Sequence, residues 1–442
     1  MKDRGTVQLP FVKLGIRENL GQFLLLILIN AFVGGMVGLE RTVIPLLGSE
    51  QFRLASTSAI TAFIVSFGVT KGVVDLVSGQ LADRWGRKPV LVLGWLLGLP
   101  VPFLIIWAPS WSWIVAANVL LGINQGLAWS MTVLMKIDLA GPAKRGLAMG
   151  LNEFAGYGMV GLTALLTGYI AAGSGLRPKP FYLGIAYAVA GLLLSIIFVR
   201  ETSGHVLHEV QRTEGNRGSA SGNPEKATFA QVFATTTWRN RTLFGVCQAG
   251  LVNNLNDGMA WGILPLFFAA HGLAIAEIGV IKAVYPFVWA VGQLVTGPLS
   301  DRWGRKGLIV AGMWIQALAH PVIAFGAKFN VRVTGLAGAV LLGLGTAMVY
   351  PSLLAAVGDV AHPMWRARSL SVYRSWRDLG YALGAAIAGV VAGAFGLVWS
   401  IHVAGLLTFV SGIVAWASIR ETRPSDSRGR LASCFTCARL TR

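Results

Sequence analysis

Charged side chains are scarce in this sequence. Only 13% of its 442 residues are Asp, Glu, Lys or Arg, about half the fraction found in a typical soluble domain. Because 54% of the residues are hydrophobic, the chain lacks the polar residues needed to cover two or three soluble domains. Mostly apolar stretches of about 20 residues recur along its length, and each is long enough to cross a bilayer. The sequence therefore predicts an all-α membrane protein with many spans.

Cysteine is also rare. Cys247 lies in an apolar stretch, and Cys434 and Cys437 lie near the C-terminus. These three residues predict no disulfide framework. The two C-terminal thiols could bind a soft metal, but no further Cys or His cluster supports a closed site. We expect a reduced cytosolic tail, no metal site and no other cofactor.

The pattern GxxxxGK[ST], which would indicate a nucleotide-binding loop, is absent from the sequence. ATP hydrolysis is therefore not expected as a power source, and nothing indicates an enzyme. Basic residues outnumber acidic ones, 37 to 19. This excess is spread over many short loops, which favours anionic lipid headgroups as neighbours and argues against nucleic acid.

Apolar windows predict twelve spans, six before and six after a polar segment. The predicted spans are 21–47, 57–81, 89–108, 113–136, 147–170, 181–199, 243–269, 276–300, 307–327, 333–357, 370–396 and 398–419. The intervening segment, 200–242, is rich in Gly and Ser and predicts a flexible linker with one short surface helix. We therefore expect two six-helix bundles, 21–199 and 243–419, with cytoplasmic tails at 1–20 and 420–442.

The distribution of basic residues predicts the orientation in the membrane. Loops on one side carry most of the 37 Lys and Arg residues. The loops on the opposite side carry five, namely Arg53, Arg177, Lys179, Lys328 and Arg332. Since cytoplasmic loops are enriched in Lys and Arg, we expect both termini in the cytoplasm and the protein in a bacterial inner membrane.

The two predicted bundles share short sequences in the same order. "GQLADRWGRKP" begins at Gly79, and "GPLSDRWGRKG" begins at Gly297, 218 residues later. Span 6 ends with "VRET" (199–202) and span 12 ends with "IRET" (419–422). Repeats at a near-constant offset indicate two homologous halves, as in transporters built from parallel six-helix repeats.

The repeated phrase resembles the cytoplasmic signature between helices 2 and 3 of the major facilitator superfamily, with its second copy between helices 8 and 9. This resemblance implies a twelve-helix transporter with alternating access to a central cavity, and we expect a monomer. It also implies that the phrase latches the two halves in the outward-facing state. The expected latch residues are Gly79, Asp83, Arg84, Gly86, Arg87, Lys88, Gly297, Asp301, Arg302, Gly304, Arg305 and Lys306.

The composition of the phrase suits a tight loop between helices. Its second glycine can adopt the backbone angles of a sharp turn. Its aspartate, at a helix end, can accept hydrogen bonds from a neighbouring helix N-terminus. Its basic residues can pair with Asp138 and Asp359, which end spans 4 and 10. Alternatively, these basic residues only enforce the topology, but topology alone requires neither the aspartate nor the glycine.

Ionisable residues inside membrane spans are costly and usually functional. Ten of them fall in six of the twelve predicted spans, and their formal charges sum to zero. Spans 3, 6, 9 and 12 carry none of the ten, and by the resemblance these four are peripheral and face lipid, so the charges segregate to helices that line the cavity. The ten are Glu40, Arg41, Lys71, Asp75, Glu153, Asp257, Lys282, Arg374, Arg377 and Asp378.

Several of these residues have two possible roles. Lys71 and Asp75, four apart on one helix face, can form a structural ion pair or take part in transport. Glu40 matches the position of proton and cation sites in drug-transporting relatives, or it pairs with Arg41 or with a charge opposite. Glu153 suits proton coupling if its charge is unpaired, or it has a static partner such as Lys71.

Neutral polar residues also fall near mid-membrane, notably Asn124, Gln125 and Asn254. Span 7 contains "NNLNDGMAWG" (253–262), which is too polar for lipid and predicts a wall of the substrate cavity. Two features depart from drug/proton antiporters of the family. "GINQG" (122–126) has Gly122 where they carry Arg, and span 5 lacks their proline. Any proton coupling would therefore depend on Glu40, Asp75 or Glu153.

Three functions remain open on the sequence alone. The favoured one is a secondary transporter that exports a small solute, driven by protons. The second is a facilitator or symporter of the same fold that takes a solute up. The third is a receptor or assembly protein that has the transporter fold but moves nothing, which the retained charges in the spans disfavour.

Overall fold

A computed structural model describes residues 14–140, 145–205, 228–361 and 365–422. The described residues form long helices and no β-strand. Cys434 and Cys437 lie outside them, as does most of the linker. The first six helices form the N-terminal bundle: α1 (Leu20–Gln51), α2 (Thr57–Trp85), α3 (Arg87–Ile106), α4 (Trp111–Ala140), α5 (Arg145–Ser174) and α6 (Lys179–Ile197).

Six more helices form the C-terminal bundle, and a short linker helix, Phe229–Ala234, precedes them. The break within the seventh helix falls at Ile263, just before Pro265, which cannot donate a helical hydrogen bond. The six are α7 (Arg241–Gly262 and Leu264–Ala270), α8 (Ile275–Trp303), α9 (Arg305–Phe325), α10 (Val331–Val360), α11 (Arg366–Phe395) and α12 (Leu397–Ser418).

Polar side chains cap several helix starts where backbone N–H groups lack helical partners. Ser56 Oγ accepts from the backbone N–H of Ala59. Asn240 accepts from two N–H groups of α7, and Asn330 accepts from two of α10. Thr228 and Gln231 form a reciprocal capping box on the linker helix. These short polar stretches therefore fix where each apolar run begins as a helix.

Eleven of the described helices are apolar and long enough to cross a membrane, and α7 is the exception. Its length matches the others, but it carries Asn253, Asn254, Asn256 and Asp257, all buried. A helix this polar is stable in a membrane only if its polar face points into the protein. The lower hydropathy of α7 compared with the other eleven helices therefore reflects its buried position within a twelve-helix architecture.

The repeated phrases connect α2 to α3 and α8 to α9, so both lie at the same end of the bundles. We call this end the motif face and the opposite end the far face. Near the far face α5 and α8 touch through glycine, since a Cβ on Gly168 would lie 2.9 Å from Gly279 Cα. At Gly150 and Gly297, nearer the motif face, an added Cβ would meet nothing within 4 Å. These two helices therefore separate toward the motif face.

A second pair of helices, α2 and α11, shows the same trend. A Cβ on Gly389 would lie 2.4 Å from Thr61 Oγ1, and one on Gly68 would lie 2.6 Å from the backbone N of Ala382. A Cβ on Gly79, closer to the motif face, would reach only Ser371 Oγ, at 4.0 Å. The bundles are thus joined at the far face and in the middle, and they part toward the motif face.

Candidate functional site

Each repeated phrase turns sharply at its second glycine. Gly86 has a φ of 90° and Gly304 a φ of 97°, a region that side chains other than glycine rarely adopt. A Cβ at either position would also collide with a carboxylate, 2.7 Å from Glu201 Oε2 or 2.4 Å from Glu421 Oε2. The backbone angle therefore requires glycine here, and a Cβ would in addition displace the carboxylate.

The colliding carboxylates bind the start of the next helix. Glu201 accepts from the backbone N–H groups of Arg87 (3.1 Å) and Lys88 (2.9 Å). Partial burial raises the pKa of Glu201, but the hydrogen bonds from Ser203 and these amides outweigh it and hold the pKa below its usual value. Glu421 accepts from Arg305 and Lys306 in the same way. The helix N-terminus and its dipole favour this negative charge.

The arginine of each phrase reaches an acid at the end of a neighbouring helix in its own bundle. Arg87 Nε lies 3.3 Å from Asp138 Oδ2, and Arg305 Nε lies 3.2 Å from Asp359 Oδ2. The same aspartate oxygens also accept from threonine hydroxyls at the bundle ends. Those donors are Thr202 at 2.8 Å and Thr422 at 3.1 Å. Both halves therefore build one arrangement from the same residues.

The aspartates of the two phrases face outward at the motif face. The side chain of Asp83 is 77% exposed and that of Asp301 is 67% exposed. Each is within reach of its own phrase's arginine, Arg87 at 3.6 Å and Arg305 at 2.6 Å. We expected these aspartates to accept hydrogen bonds from a neighbouring helix N-terminus. In the structure, Glu201 and Glu421 accept those hydrogen bonds. Arg84 and Arg302 are also exposed.

An ion pair joins the bundles in the interior. Arg41 on α1 donates to both carboxylate oxygens of Asp257 on α7, with Nη2 2.9 Å from Oδ2. The guanidinium lies 4.6 Å from the centre of the Trp261 ring. Both charged side chains are almost fully buried. Because their hydrogen bonds are shared between two bundles, the pair fastens α1 to α7.

A second charged cluster joins α2 to α11. Lys71 contacts Asp378 of the other bundle and lies 3.4 Å from Asp75 on its own helix. Asp378 also accepts from Asn254 at 3.0 Å and from Arg377 at 3.1 Å. Lys71 and Asp75 are therefore more than a self-neutralising pair, because the lysine bridges the two bundles.

Arg377 extends this cluster into a group of aromatic rings. Its Nη2 donates to Tyr157 Oη at 2.7 Å, which is a further contact between the bundles. The guanidinium lies 4.2 Å from the centre of the Tyr350 ring, a favourable cation–π position. Tyr157 in turn packs on Trp289 and near Trp129. The centre of the molecule is thus both charged and aromatic.

Three predicted cavity residues lack either an ion-pair partner or a hydrogen-bond donor in the described structure. Glu40 is fully buried, and neither carboxylate oxygen has a hydrogen-bond partner in the described structure. Glu153 is buried, and one of its oxygens, Oε2, is likewise without a partner. Arg374 is partly exposed and forms no ion pair with any described carboxylate. The alternatives that paired Glu40 with Arg41, or Glu153 with Lys71, do not match these contacts.

Other predicted cavity residues fasten helices together instead. Asn124 donates to the backbone carbonyl of Gly94 at 2.9 Å, and Gln125 donates to that of Val33 at 2.9 Å. Both bonds stay within the N-terminal bundle. Lys282 on α8 donates to the carbonyl of Ala260 on α7 at 2.6 Å. Asn124 and Gln125 therefore hold helices within the N-terminal bundle, although Gln125 Oε1 has no partner among the described residues.

Some residues of the site were not anticipated from the sequence. Glu201 and Glu421 were noted only as part of the repeated "RET", although their recurrence beside the repeated phrase was a usable signal. Tyr157 and Lys136 were given no role. Tyr157 accepts from Arg377 across the interface, and Lys136 is fully buried and donates to the carbonyl of Leu26 at 3.0 Å.

A profile of the Major Facilitator Superfamily matches residues 20–254 and 246–433. The chain belongs to this family. It is similar to Multidrug resistance protein MdtG of Salmonella choleraesuis, 24% identical over 389 residues that cover 85% of this chain and 89% of that protein. It is 23% identical over 202 residues to Multidrug resistance protein 2 of Bacillus subtilis, a match that spans about half the length of each chain.

The structure resembles solved transporter structures at low sequence identity. One is a bacterial homologue of the human lysosomal transporter Spinster, in an inward-facing and unoccupied conformation. The TM-score is 0.71 at 16% identity, covering 92% of this chain and 99% of that one. The nucleoside transporter NupG matches with a TM-score of 0.70 at 14% identity, covering 90% and 98%. These similarities establish the fold, and the family match identifies the chain as a multi-pass membrane transporter.

Proposed function

We propose that the protein is a proton-coupled secondary transporter that exports a small solute across the bacterial inner membrane. The observation that carries this proposal is Glu40 on α1, a fully buried carboxyl group with no hydrogen-bond partner for either oxygen in the described structure. Burying a charged carboxylate without a partner costs several kcal/mol. The site therefore favours a bound proton.

The surroundings of Glu40 support a reversible proton site. Its neighbour Arg41 is committed to Asp257, so it offers Glu40 no direct ion pair. Asn118 lies beside Glu40, and its Oδ1 also lacks a donor in the described structure. A proton on Glu40 supplies the donor that both acceptors lack. If Asp257 releases Arg41, the freed guanidinium can stabilise the deprotonated form instead.

The separation of the bundles supports alternating access. In this conformation, contacts at the far face close one end while the motif face is parted. By the distribution of basic residues, the motif face is the cytoplasmic one, so solute and protons exchange with the cytoplasm in this state. Breaking Arg41–Asp257 and closing the motif face would give the opposite state. The phrases at Asp83 and Asp301 then serve as the latch.

Export is favoured over uptake by the names of similar proteins, because several relatives aligned over most of the chain are called multidrug resistance proteins. The sequence departs from the pattern of drug/proton antiporters at Gly122 and in α5. These departures do not affect Glu40, which remains the candidate proton site. The exported solute binds between the bundles, where Lys71, Asp378, Arg377 and the aromatic rings lie.

A sided flux assay tests this proposal. Candidate solutes come from comparing resistance and growth of strains with and without the protein, and each is then tested in proteoliposomes of known orientation. We expect the solute to move into the acidic compartment, and we expect this movement to stop when a protonophore collapses the pH gradient. Flux that continues unchanged would show that proton coupling is wrong, and flux only in the reverse direction would favour uptake.

A further inference from the structure

Two side chains of opposite charge lie at the interface of the bundles without an opposite charge bound to them. Glu153 on α5 is only 3% exposed. Its Oε1 accepts from Trp129 Nε1 at 3.2 Å and from Asn152 Nδ2 at 3.0 Å, but Oε2 accepts from nothing in the described structure. The buried Lys136 of the same bundle is near enough to act on the charge of Glu153, but its Nζ donates to the carbonyl of Leu26 rather than to Oε2. A buried carboxylate oxygen with no donor is unusual enough to require an explanation.

Arg374 on α11 is the matching group of the other bundle. Its neighbours Tyr373, Arg377 and Asp378 are buried, whereas Arg374 itself is partly exposed. Among the described residues, the guanidinium makes no ion pair, although the charges of Asp75 and Glu153 act on it. Since Arg377 and Lys71 already share Asp378, Arg374 is a basic group of α11 left without an ion pair among the described residues.

The two groups lie at one depth. Each is eight residues into its helix from the motif-face end, which is about 12 Å. This level lies between the joined middle of the bundles and the parted motif face. Tyr350 of the C-terminal bundle is within the electrostatic range of both groups, and Tyr157 packs 6.4 Å from it, ring centre to ring centre. A solute entering from the motif face meets an acid, a base and two aromatic rings together.

We propose that Glu153 and Arg374 bind the two ends of a zwitterionic solute, with its ammonium group on Glu153 and its carboxylate on Arg374. The inference rests on the proposed function, in that the solute enters between the bundles. Arginine suits a carboxylate because its donors match both oxygens. A solute with one sign of charge leaves either Glu153 or Arg374 unpaired as water is excluded, which is costly.

This binding mode also links solute to conformational change. Because Glu153 belongs to the N-terminal bundle and Arg374 to the C-terminal bundle, a solute held by both adds a link between the bundles on the motif-face side of the Arg377–Tyr157 contact. The bound zwitterion adds no net charge to the interior. Binding therefore favours closure of the motif face, whereas a solute that reaches only one group does not favour it.

Equilibrium binding to the full-length protein in detergent, without any gradient, tests the inference. The probes are L-phenylalanine (zwitterion), N-acetyl-L-phenylalanine (anion) and L-phenylalaninamide (cation), with the same three forms of Gly-Phe as a longer set. In at least one set we expect the zwitterion to bind about tenfold or more tightly than either singly charged form. The inference is overturned if neither set shows this preference, and equally if the zwitterion does not bind in either set.

Substitutions assign each end of the probe. Arg374→Gln should abolish the preference for the zwitterion over the amide, and Glu153→Gln should abolish its preference over the N-acetyl form. Arg374→Lys and Glu153→Asp should keep much of each preference, as should Arg332→Gln, a control on an exposed arginine. Unchanged preferences in well-folded Gln variants would overturn the assignment. Zwitterion binding without proton-coupled flux would refute the proposed function alone, and coupled flux of another solute without this preference would refute the inference alone.

Discussion

Arg41 on α1 and Asp257 on α7 form a buried, two-pronged ion pair between the bundles. The equivalent helices of the two repeats thus meet through opposite charges in the interior. Trp261 reinforces the contact, since its ring faces the guanidinium and its Nε1 donates to the carbonyl of Glu40 at 3.2 Å. The pair therefore connects the far-face closure to the carboxyl group that we propose binds the proton.

Removing one charge of this pair should destabilise the structure strongly. Asp257→Asn leaves Arg41 buried without its counter-charge, and we expect a loss of about 3–5 kcal/mol in the free energy of unfolding. The double variant Arg41→Met with Asp257→Leu should recover much of that loss because neither charge remains. Thermal or denaturant unfolding in detergent measures both variants.

The exposed pair Arg332–Glu277 is the matched control for this prediction. Surface ion pairs contribute only about 0–1 kcal/mol, so neutralising Glu277 should change stability little. Equal losses from Glu277→Gln and Asp257→Asn would contradict the role assigned to the buried pair.

Glu40→Gln should separate solute binding from proton coupling. The amide keeps the shape of a protonated carboxyl and can donate to Asn118 Oδ1, so we expect the fold and its stability to be retained. Solute exchange without a gradient should continue, while flux driven by a pH gradient is lost. Proteoliposome flux with and without the gradient measures this difference, and gradient-driven flux at the wild-type level would exclude Glu40 as the required proton site.

The exposed aspartates provide a test of the latch. Asp83→Asn should cripple transport while membrane insertion and thermal stability stay close to wild type, because the side chain is 77% exposed and has few contacts in this conformation. Arg332→Gln, outside the phrases, should leave transport intact. Full transport activity of Asp83→Asn would show that the latch role is wrong.

The glutamate at the turn should make stability depend on pH. Because the pKa of Glu201 is held below its ordinary value near 4.5, its charged form stabilises the folded state above that pH, and the contribution disappears as pH falls through the lowered pKa. Glu201→Gln should therefore be less stable than wild type at pH 7, with the difference shrinking below about pH 4.5. A constant difference from pH 7 down to pH 3.5 would contradict this explanation.

Much of the fold followed from patterns that act locally. Apolar runs indicated the helices, and the repeated phrase at Gly79 and Gly297 indicated paired bundles. The polar stretch "NNLNDGMAWG" in α7 predicted a wall of the substrate cavity, and the structure buries its Asn and Asp residues. These inferences succeed because a bilayer permits few structures besides complete helices.

The partners of individual charges could not be predicted in the same way. Arg41 adjoins Glu40 in sequence, yet it pairs with Asp257 across the interface, because neighbouring helix positions point in different directions. Asn124 and Gln125 looked like cavity residues but satisfy backbone carbonyls within one bundle. Which polar group meets which depends on helix rotation and on the conformational state, and neither is encoded in a short segment.

Glycine spacing along α5 and α8 suggests how the two ends of the interface alternate. Gly168 contacts Gly279 near the far face, and Gly150 and Gly297 lie 18 residues further toward the motif face on the same helices. Eighteen residues are about five turns, so each pair shares one helix face. We predict that Gly150 meets Gly297 when the motif face closes, as Gly168 meets Gly279 here.

Alanine substitutions should therefore shift the conformational balance in opposite directions. Gly168→Ala adds a methyl group 2.9 Å from Gly279 Cα and should disfavour far-face closure by about 1–3 kcal/mol. Gly150→Ala meets nothing in this conformation and should disfavour only the opposite one. Spin labels at Gly173 and Leu273, in a cysteine-free background, report the far-face separation. We expect longer distances for Gly168→Ala and shorter ones for Gly150→Ala, and a shift of both in the same direction would contradict the alternation.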